Sequence, residues 1–232
     1  CVRALESVFF EILETAGRLP SRADASAATP RPMSVVRKFL DSFRAVRAAP
    51  RLRHLSVVRL LVEVAVMLVH TTFPINAQAH LGLDAKRTGY IMTCAAAMSV
   101  VVDMSVLPRL LRRGMLTVWS TCAAGLVILL AALPLSGNAR AVSATVACLV
   151  TVSAGASLAR TGLNAMMVNT ASREGAGAVS GVIDALESLS RVLAPLVGAV
   201  ALDTGGPWAP GALGGLLAAL ALSELVTEDK LH

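Results

Sequence analysis

The chain has 232 residues, of which 55% are hydrophobic and 16% are charged. A soluble globular domain carries about 25% charged residues, whereas this chain holds several runs of about twenty residues that are almost free of charge. The composition excludes a disordered chain, which would be polar. Four cysteines are too few for a disulfide scaffold of this length. The net charge of +6 comes from basic residues that flank the apolar runs and do not interleave with aromatic residues, so we expect no nucleic-acid partner.

Residues 1–53 are predicted to form a cytoplasmic linker with amphipathic helices. Residues 2–16 and 34–47 each place apolar side chains on one helical face, and a stretch rich in Pro, Ser and Ala separates them. The second helix is basic and is expected to lie on lipid headgroups; a calmodulin-type target or a nuclear import patch is the alternative. The chain begins at Cys1, and its first twenty residues contain acids that do not fit a signal peptide. We therefore expect it to be the later part of a longer protein.

Residues 54–228 are predicted to form a bundle of six transmembrane helices, which makes the fold class an all-α membrane protein. Each span is near the length of about twenty residues that crosses the hydrocarbon layer. The predicted spans are residues 55–77 and 88–108, a third within the charge-free stretch 114–139 that ends near Pro134, and residues 141–165, 177–202 and 207–226. Gly82 and Asp84 are predicted to form the first turn. The glycine pairs Gly177/Gly181 and Gly211/Gly215 predict close packing of helices.

The distribution of basic residues predicts the orientation of the bundle. Arginine and lysine are frequent before the first span and after the second, whereas the opposite side has only Lys86, Arg87 and Arg140. The positive-inside rule therefore places both ends in the cytoplasm. This pattern is the same for the plasma membrane and for an endomembrane.

Charged residues within the first two spans are predicted to form gating or structural ion pairs. A charge in the bilayer centre costs at least about 2.5–3.5 kcal/mol, so each one needs a partner or a function. Arg59 and Glu63 are one helical turn apart and are predicted to neutralise each other. Asp103 is predicted to pair with the arginines that follow it, which are Arg109, Arg112 and Arg113.

The fifth span carries the strongest candidates for a substrate or proton pathway. Asp184, Glu187 and Arg191 share one helical face, and Glu187 lies about 18 Å along the helix, near the bilayer midplane. Substrate and coupling-ion sites of transporters lie at this depth. We therefore expect a Glu187→Gln variant to lose proton-coupled uptake. The alternative is a Glu187–Arg191 salt bridge that only holds the bundle together.

His70 in the first span and Asn164 in the fourth span complete the candidate pathway. His70 is predicted to be either a satisfied histidine of the bundle or a proton relay. Asn164 follows Arg160 by one turn, and the two either line the same cavity or cap the cytoplasmic end of the span. The sequence has no CxxC or HExxH spacing and no set of nucleophile and base. We therefore expect no metal, no cofactor and no enzymatic activity.

The segment 161–213 resembles the end of carriers of the major facilitator superfamily. In that family, a tenth span leads through a short charged, glycine-containing loop into an eleventh span that ends in Pro, small residues and Gly. The matching positions are Ser172–Gly175, Gly181, Pro195, Gly198 and Gly205–Pro207, and residues 88–93 (TGYIMT) resemble the start of the eighth span. Within the superfamily the chain looks closest to the tetracycline- and drug-antiporter-like branch and to the organic cation transporter-like proteins of solute carrier family 22. The loop Leu107–Gly114 is basic but lacks the acid of the family's Gly-Asp-Arg-Gly-Arg gating motif.

The resemblance covers about residues 34–226 and implies the second six-helix half of a twelve-helix carrier. It implies secondary transport by alternating access, coupled to protons, of a small organic solute such as a drug or cation. The expected partners are the lipid bilayer, an N-terminal six-helix half or a second copy of this chain, the solute, and protons. The competing hypothesis is a non-transporting six-helix membrane protein that dimerises or docks onto a partner.

Overall fold

The computed structural model describes residues 49–112, 117–136, 141–171 and 175–229. These residues contain helices and no β-strand, as predicted. The elements are α1 (Pro50–Leu81), α2 (Ala85–Val101), a π-helical turn (Val102–Val106), α3 (Leu107–Arg112), α4 (Val118–Ser136), α5 (Val142–Thr170), α6 (Ala176–Gly205) and α7 (Ala209–Asp229). The amphipathic helices predicted at 2–16 and 34–47 lie outside the described residues.

α1 extends beyond the predicted span at both ends. Pro50 begins the helix, where the N–H that proline lacks would have no intrahelical partner. Gly82 ends it with a φ of +59°, a left-handed conformation that glycine adopts without strain. Asp84 then caps α2 by accepting a hydrogen bond from the N–H of Ala85 at 2.8 Å. The turn predicted at Gly82 and Asp84 is confirmed.

The central position in the bundle belongs to α1, which packs against α5, α6 and α7. Every residue from Leu55 to Glu63 is buried, whichever way its side chain points. A helix enclosed in this way can carry polar side chains without exposing them to lipid, provided that they find partners inside the bundle.

Small residues bring α4 and α5 together over the most extensive helix contact in the described part of the chain. A Cβ atom placed on Gly125 would lie 2.7 Å from the carbonyl oxygen of Gly155, and one on Gly162 would lie 2.8 Å from the backbone nitrogen of Cys122. Only glycine leaves room for two backbones at this distance.

Close packing was also predicted for Gly177 and Gly181, and the structure contradicts this. A Cβ atom on either residue would meet nothing within 4 Å, because α6 turns both glycines toward an open surface. Gly215 in the other predicted pair does lie against a neighbour, since a Cβ there would be 2.7 Å from the ring of Pro134 on α4.

Two helices leave a wide apolar face without a partner in the described chain. The most apolar windows of α2 and α6 are each 22% buried, compared with 39–44% for α4, α5 and α7. On α6 the exposed side chains Val192, Leu196 and Val200 follow one another at intervals of one turn. Such a face is stable only against lipid or further helices.

Five helical stretches in the described chain are long and apolar enough to cross a membrane. They are Ala85–Arg109, Val118–Ser136, Val142–Thr170, Ala176–Gly205 and Ala209–Thr227. α1 is not one of the five, although its 32 residues measure about 48 Å at about 1.5 Å per residue. The predicted all-α membrane bundle is confirmed, with helix ends that differ from the predicted ones by up to five residues.

Candidate functional site

A buried ion cluster joins α1 to α5. The carboxylate of Glu63 accepts hydrogen bonds from Nη1 of Arg59 and, at 2.6 Å, from Nη2 of Arg160. Nε of Arg59 donates to Oδ1 of Asn164 at 3.2 Å. The side chain of Glu63 is fully buried, that of Arg59 is 3% exposed and that of Arg160 is 29% exposed. The cluster therefore has a closed side on α1 and an open side at Arg160.

Helical spacing explains how four groups meet at this point. Arg59 and Glu63 are one turn apart on α1, and Arg160 and Asn164 are one turn apart on α5, so each helix presents two polar side chains on one face. Glu63 lies about 20 Å from the start of α1, which is near the middle of the helix.

The ion cluster carries a formal charge of +1, from two guanidinium groups and one carboxylate. Burying such groups is costly unless every charge is paired and hydrogen-bonded. Asn164 and Arg160 provide the additional bonds that the Arg59–Glu63 pair needs. Nε of Arg160 is buried and has no hydrogen-bond partner among the described residues. Arg160 is thus the member of the cluster with capacity left for a further ligand.

A second polar contact joins α2 to α5 through Asp103. Its Oδ1 accepts hydrogen bonds from the hydroxyl of Ser157 and, at 3.2 Å, from that of Thr161. Asp103 lies in the π-helical turn. Because a π turn holds more residues than an α turn, it changes the direction in which the following side chains project.

The predicted pairing of Asp103 with loop arginines is not what its contacts show. Arg109 is exposed, and within the described residues no ion pair forms between it and Asp103. The side chain of Arg112 and the whole of Arg113 lie outside the described part of the chain.

The pathway residues predicted on α6 form an open ion pair. Nη2 of Arg191 lies 2.5 Å from Oε1 of Glu187, and the two side chains are 63% and 35% exposed. Asp184 is exposed one turn earlier. Glu187 lies near enough to Arg59 for their charges to interact. Of the three charged residues predicted on α6, Glu187 is therefore the one within electrostatic reach of the ion cluster.

His70 lies two turns beyond Glu63 on α1. The charges of Arg160 and Glu63 both act on its ring. Its Nε2 atom is buried and has no hydrogen-bond partner among the described residues. His70 therefore lies on the same side of α1 as the ion cluster, with one polar atom unsatisfied.

The structure thus brings some of the predicted residues into one site and leaves others apart. Arg59, Glu63 and Asn164 are in direct contact through the ion cluster, with His70 and Glu187 within electrostatic reach. Arg160 and Asn164 do not cap the end of their helix, because α5 continues to Thr170. Capping of the helix end is thereby excluded, and a cavity lined by both residues stays a prediction.

Sequence reasoning missed Ser157 and Thr161. The signal was present, because residues 157, 160, 161 and 164 recur at intervals of three and four and form a polar stripe on an apolar span. The stripe faces two ways: Arg160 and Asn164 bind α1, and Ser157 and Thr161 bind α2.

The guanidinium, carboxylate and imidazole groups of the ion cluster and His70 are suited to binding charged solutes and protons. Guanidinium groups bind carboxylate and phosphate groups, and carboxylates and imidazoles exchange protons. No group of three or more His, Cys, Asp or Glu side chains that could hold a metal ion occurs within the described residues.

Comparison with known proteins gives the family. The sequence profile of the Major Facilitator Superfamily matches residues 8–195. The solved structure of the human organic anion transporter MFSD10 (TETRAN) is similar, with a TM-score of 0.68 and 18% sequence identity over 88% of this chain. The chain spans 43% of that transporter, and at this identity the likeness concerns the fold. A comparison with curated proteins finds no match. The superfamily resemblance of the sequence is confirmed, and its assignment to a branch stays a prediction. The chain belongs to the major facilitator superfamily.

Proposed function

We propose that this chain is one six-helix half of a secondary active transporter that moves a small organic solute by alternating access, coupled to protons. The observation that carries the proposal is the ion cluster of Arg59, Glu63 and Arg160 near the middle of the bundle. Ionised groups inside a membrane bundle are costly, and they mark the pathways of solutes and ions. Membership of the superfamily supports transport as the activity.

The pathway is proposed to run along the open side of the ion cluster, between α1, α5 and α6. Arg160 and Asn164 are partly exposed there, and Glu187 on α6 lies within electrostatic reach of Arg59. The proposed lining residues are His70, Arg160, Asn164, Asp184, Glu187 and Arg191. Arg59 and Glu63 are enclosed and hold α1 against α5. Arg109, Arg112 and Arg113 follow the π-helical turn and are proposed to act in gating.

The open faces of α2 and α6 are proposed to dock the other half of the carrier. Their low burial and the share of the human transporter that this chain spans, 43%, both support a second set of helices. An antibody against residues 20–34 would measure the size of the endogenous protein in native membranes. A species near twice the mass of this chain is expected, and a species of the mass of this chain alone would contradict a twelve-helix carrier.

The second candidate function is that of a non-transporting protein that pairs with another membrane protein. The same open faces favour it, because they would fit a second copy of this chain as well as a second half. This candidate predicts a single-mass species that cross-links to a dimer and shows no uptake of any probe.

The solute is proposed to be an organic anion. Arg160 is the most exposed charged group of the ion cluster and is positive. The similar human protein is named an organic anion transporter. The likeness to the drug-antiporter-like branch and to the organic cation transporter-like proteins favours a cation instead, so the two assignments predict opposite probe preferences.

A reconstitution experiment tests the transport activity and the charge of the solute together. The complete native protein in sealed proteoliposomes would be given p-aminohippurate, a small organic anion, or tetraethylammonium, a small organic cation, under an imposed pH gradient. We expect p-aminohippurate to accumulate, and Arg160→Gln to reduce its uptake about tenfold to a hundredfold, because a hydrogen bond to a charged group contributes about 1.5–3 kcal/mol.

The matched control for this experiment is Asp203→Asn, which neutralises an exposed acid near the end of α6, away from the ion cluster. It is expected to leave uptake unchanged. Accumulation of tetraethylammonium alone would overturn the anion assignment, and accumulation of neither probe would overturn the proposed transport activity.

The orientation is proposed to be the one given by the basic residues, with both ends in the cytoplasm. The turn between α1 and α2 then faces the opposite side of the membrane. A cysteine introduced by Asp84→Cys in an exposed position should react with an impermeant maleimide from that side only. Reaction from the cytoplasmic side would reverse the orientation.

A further inference from the structure

Four acids in the described membrane helices have side-chain partners, and these partners differ in kind. Glu224, near the end of α7, lies 3.6 Å from Nε2 of His54. Glu63 is bound by two guanidinium groups, and Glu187 is bound by one. Asp103 is bound by two hydroxyl groups, those of Ser157 and Thr161. Protonating an acid that is held by arginine leaves the arginine without its counter-charge inside the bundle, which is strongly unfavourable. Protonating Asp103 leaves no such charge behind.

Among the described side chains, the charged groups of the elements next to Asp103 are engaged elsewhere or distant along the helix. Arg160 lies between Ser157 and Thr161 in the sequence of α5, but its guanidinium is bound to Glu63 at 2.6 Å. Glu63 and Arg59 lie beyond it on α1. Arg109 follows Asp103 by six residues, about 9 Å along the axis. Among the described residues none of these forms an ion pair with Asp103.

We propose that Asp103, held by Ser157 and Thr161 at the π-helical turn of α2, is the carboxylate that takes up and releases the coupling proton. The inference rests on the proposed proton-coupled transport and deepens it by naming the proton-binding group. It moves this role from Glu187, which Arg191 neutralises, to the contact between α2 and α5.

The geometry of the contact supports both the binding of the proton and its consequence. Both hydroxyls donate to Oδ1, which leaves Oδ2 open. A hydronium ion that reaches the exposed side of Asp103 adds its proton to Oδ2 and leaves a water molecule behind. The neutral acid can then be enclosed at low cost, since only the charged form is expensive in an apolar interior. When the cavity opens on the other side, the proton passes from Oδ2 to water.

The π-helical turn places this site where α2 can respond to the proton. A π turn interrupts the regular i to i−4 hydrogen bonds, and such turns are frequent at functional sites. The ionised carboxylate holds α2 to α5 by two charge-assisted hydrogen bonds, which are stronger than bonds to a neutral acid. Protonation therefore weakens the contact and favours movement of α2 relative to α5.

Infrared difference spectroscopy tests the proton binding without any solute. The complete native protein in lipid would be acidified, and the carboxyl stretching band that appears on protonation would be recorded. We expect a band that Asp103→Asn removes and the control Asp203→Asn retains. To make the test independent of the folding of Asp103→Asn, the same band would also be recorded in wild-type protein grown on heavy-carbon aspartate or glutamate. A band that moves only with labelled glutamate would overturn the proposal.

Transport measurements separate this inference from the proposed function. With p-aminohippurate in proteoliposomes, Asp103→Asn is expected to abolish accumulation driven by a pH gradient and to retain exchange of labelled for unlabelled probe. Full gradient-driven accumulation in Asp103→Asn, together with its loss in Glu187→Gln, would overturn the inference and assign proton binding to Glu187. Accumulation in wild-type protein that follows a sodium gradient and ignores the pH gradient would also overturn the inference. Absence of wild-type uptake would instead count against the proposed function.

Discussion

The described part of the chain has two arginine–glutamate pairs at a spacing of four residues, one on α1 and one on α6, and their environments are opposite. Arg59 and Glu63 are enclosed by helices and are joined by Arg160 and Asn164 from α5. Glu187 and Arg191 lie on an exposed face and bind only each other among the described residues. An exposed pair of this kind contributes little to stability, whereas removing one member of a buried pair is strongly destabilising.

A spacing of four residues therefore identifies an ion pair on a helix, but it does not show whether the pair is buried or what it contacts. The α6 pair was predicted to be the more informative one because of its depth in the span. The α1 pair was predicted only to neutralise itself. In the structure the α1 pair joins α1 to α5 through Asn164 and Arg160, and Glu187 of the α6 pair lies within electrostatic reach of Arg59.

The largest expected effect is the removal of the carboxylate at the centre of the ion cluster. Glu63→Gln leaves Arg59 and Arg160 facing each other without a counter-charge, so we expect a loss of about 3–5 kcal/mol in the free energy of unfolding. Thermal unfolding of the purified protein in detergent would measure it. The matched variant Glu187→Gln on α6 should change stability by about 1 kcal/mol or less. Equal losses in the two variants would remove the distinction between the pairs.

The next largest effect on stability is expected from replacing a glycine where two helices are packed closely, compared with a glycine on an open surface. Gly162→Ala places a Cβ 2.8 Å from the backbone of Cys122, and we expect overpacking to cost about 1–3 kcal/mol. Gly181→Ala meets nothing within 4 Å and should be neutral, or should stabilise α6 by up to about 1 kcal/mol through helix propensity. The same unfolding measurement applies. A destabilising Gly181→Ala would indicate that α6 is covered at this position by helices beyond the described chain.

A smaller effect is expected from the amide that completes the ion cluster. Asn164→Ala removes the acceptor for Nε of Arg59 and should cost about 1.5 kcal/mol, the lower end of the range for a hydrogen bond to a charged group, because the bond is long at 3.2 Å. Asn169→Ala is the matched control, because Asn169 is an exposed residue of the same helix. A loss as large for Asn169 as for Asn164 would show that the measured effect comes from the helix and not from the ion cluster.

The smallest effect is expected when the α6 pair is reversed. The double variant Glu187→Arg with Arg191→Glu re-forms a pair at the same spacing, so its stability should stay within about 0.5 kcal/mol of the wild type. The same exchange on α1, Arg59→Glu with Glu63→Arg, brings a guanidinium against Arg160 and should unfold the bundle. Thermal unfolding of both double variants would compare them directly. Tolerance of the exchange on α1 would show that Arg160 does not need Glu63.

Much of the fold could be predicted because it depends on short stretches of sequence. The lengths of the apolar runs predicted the helices, and Gly82 and Asp84 predicted the first turn. The glycine prediction failed for Gly177 and Gly181, since a glycine pair shows only that two helices can approach there. Which helices do approach depends on the whole bundle, and the close contact lies at Gly125 and Gly162 instead.

The same distinction between local sequence and helix packing applies to the candidate site. Local spacing is a property of one helix, so the chain's order of residues already placed Arg59 beside Glu63, Arg160 beside Asn164, and Glu187 beside Arg191. The contacts that decide their roles join residues about a hundred positions apart. Whether an acid meets a guanidinium, a hydroxyl or open space depends on which helix faces it, and that is settled by packing. The buried state of Glu63 and the hydroxyl partners of Asp103 therefore became visible only in the folded bundle.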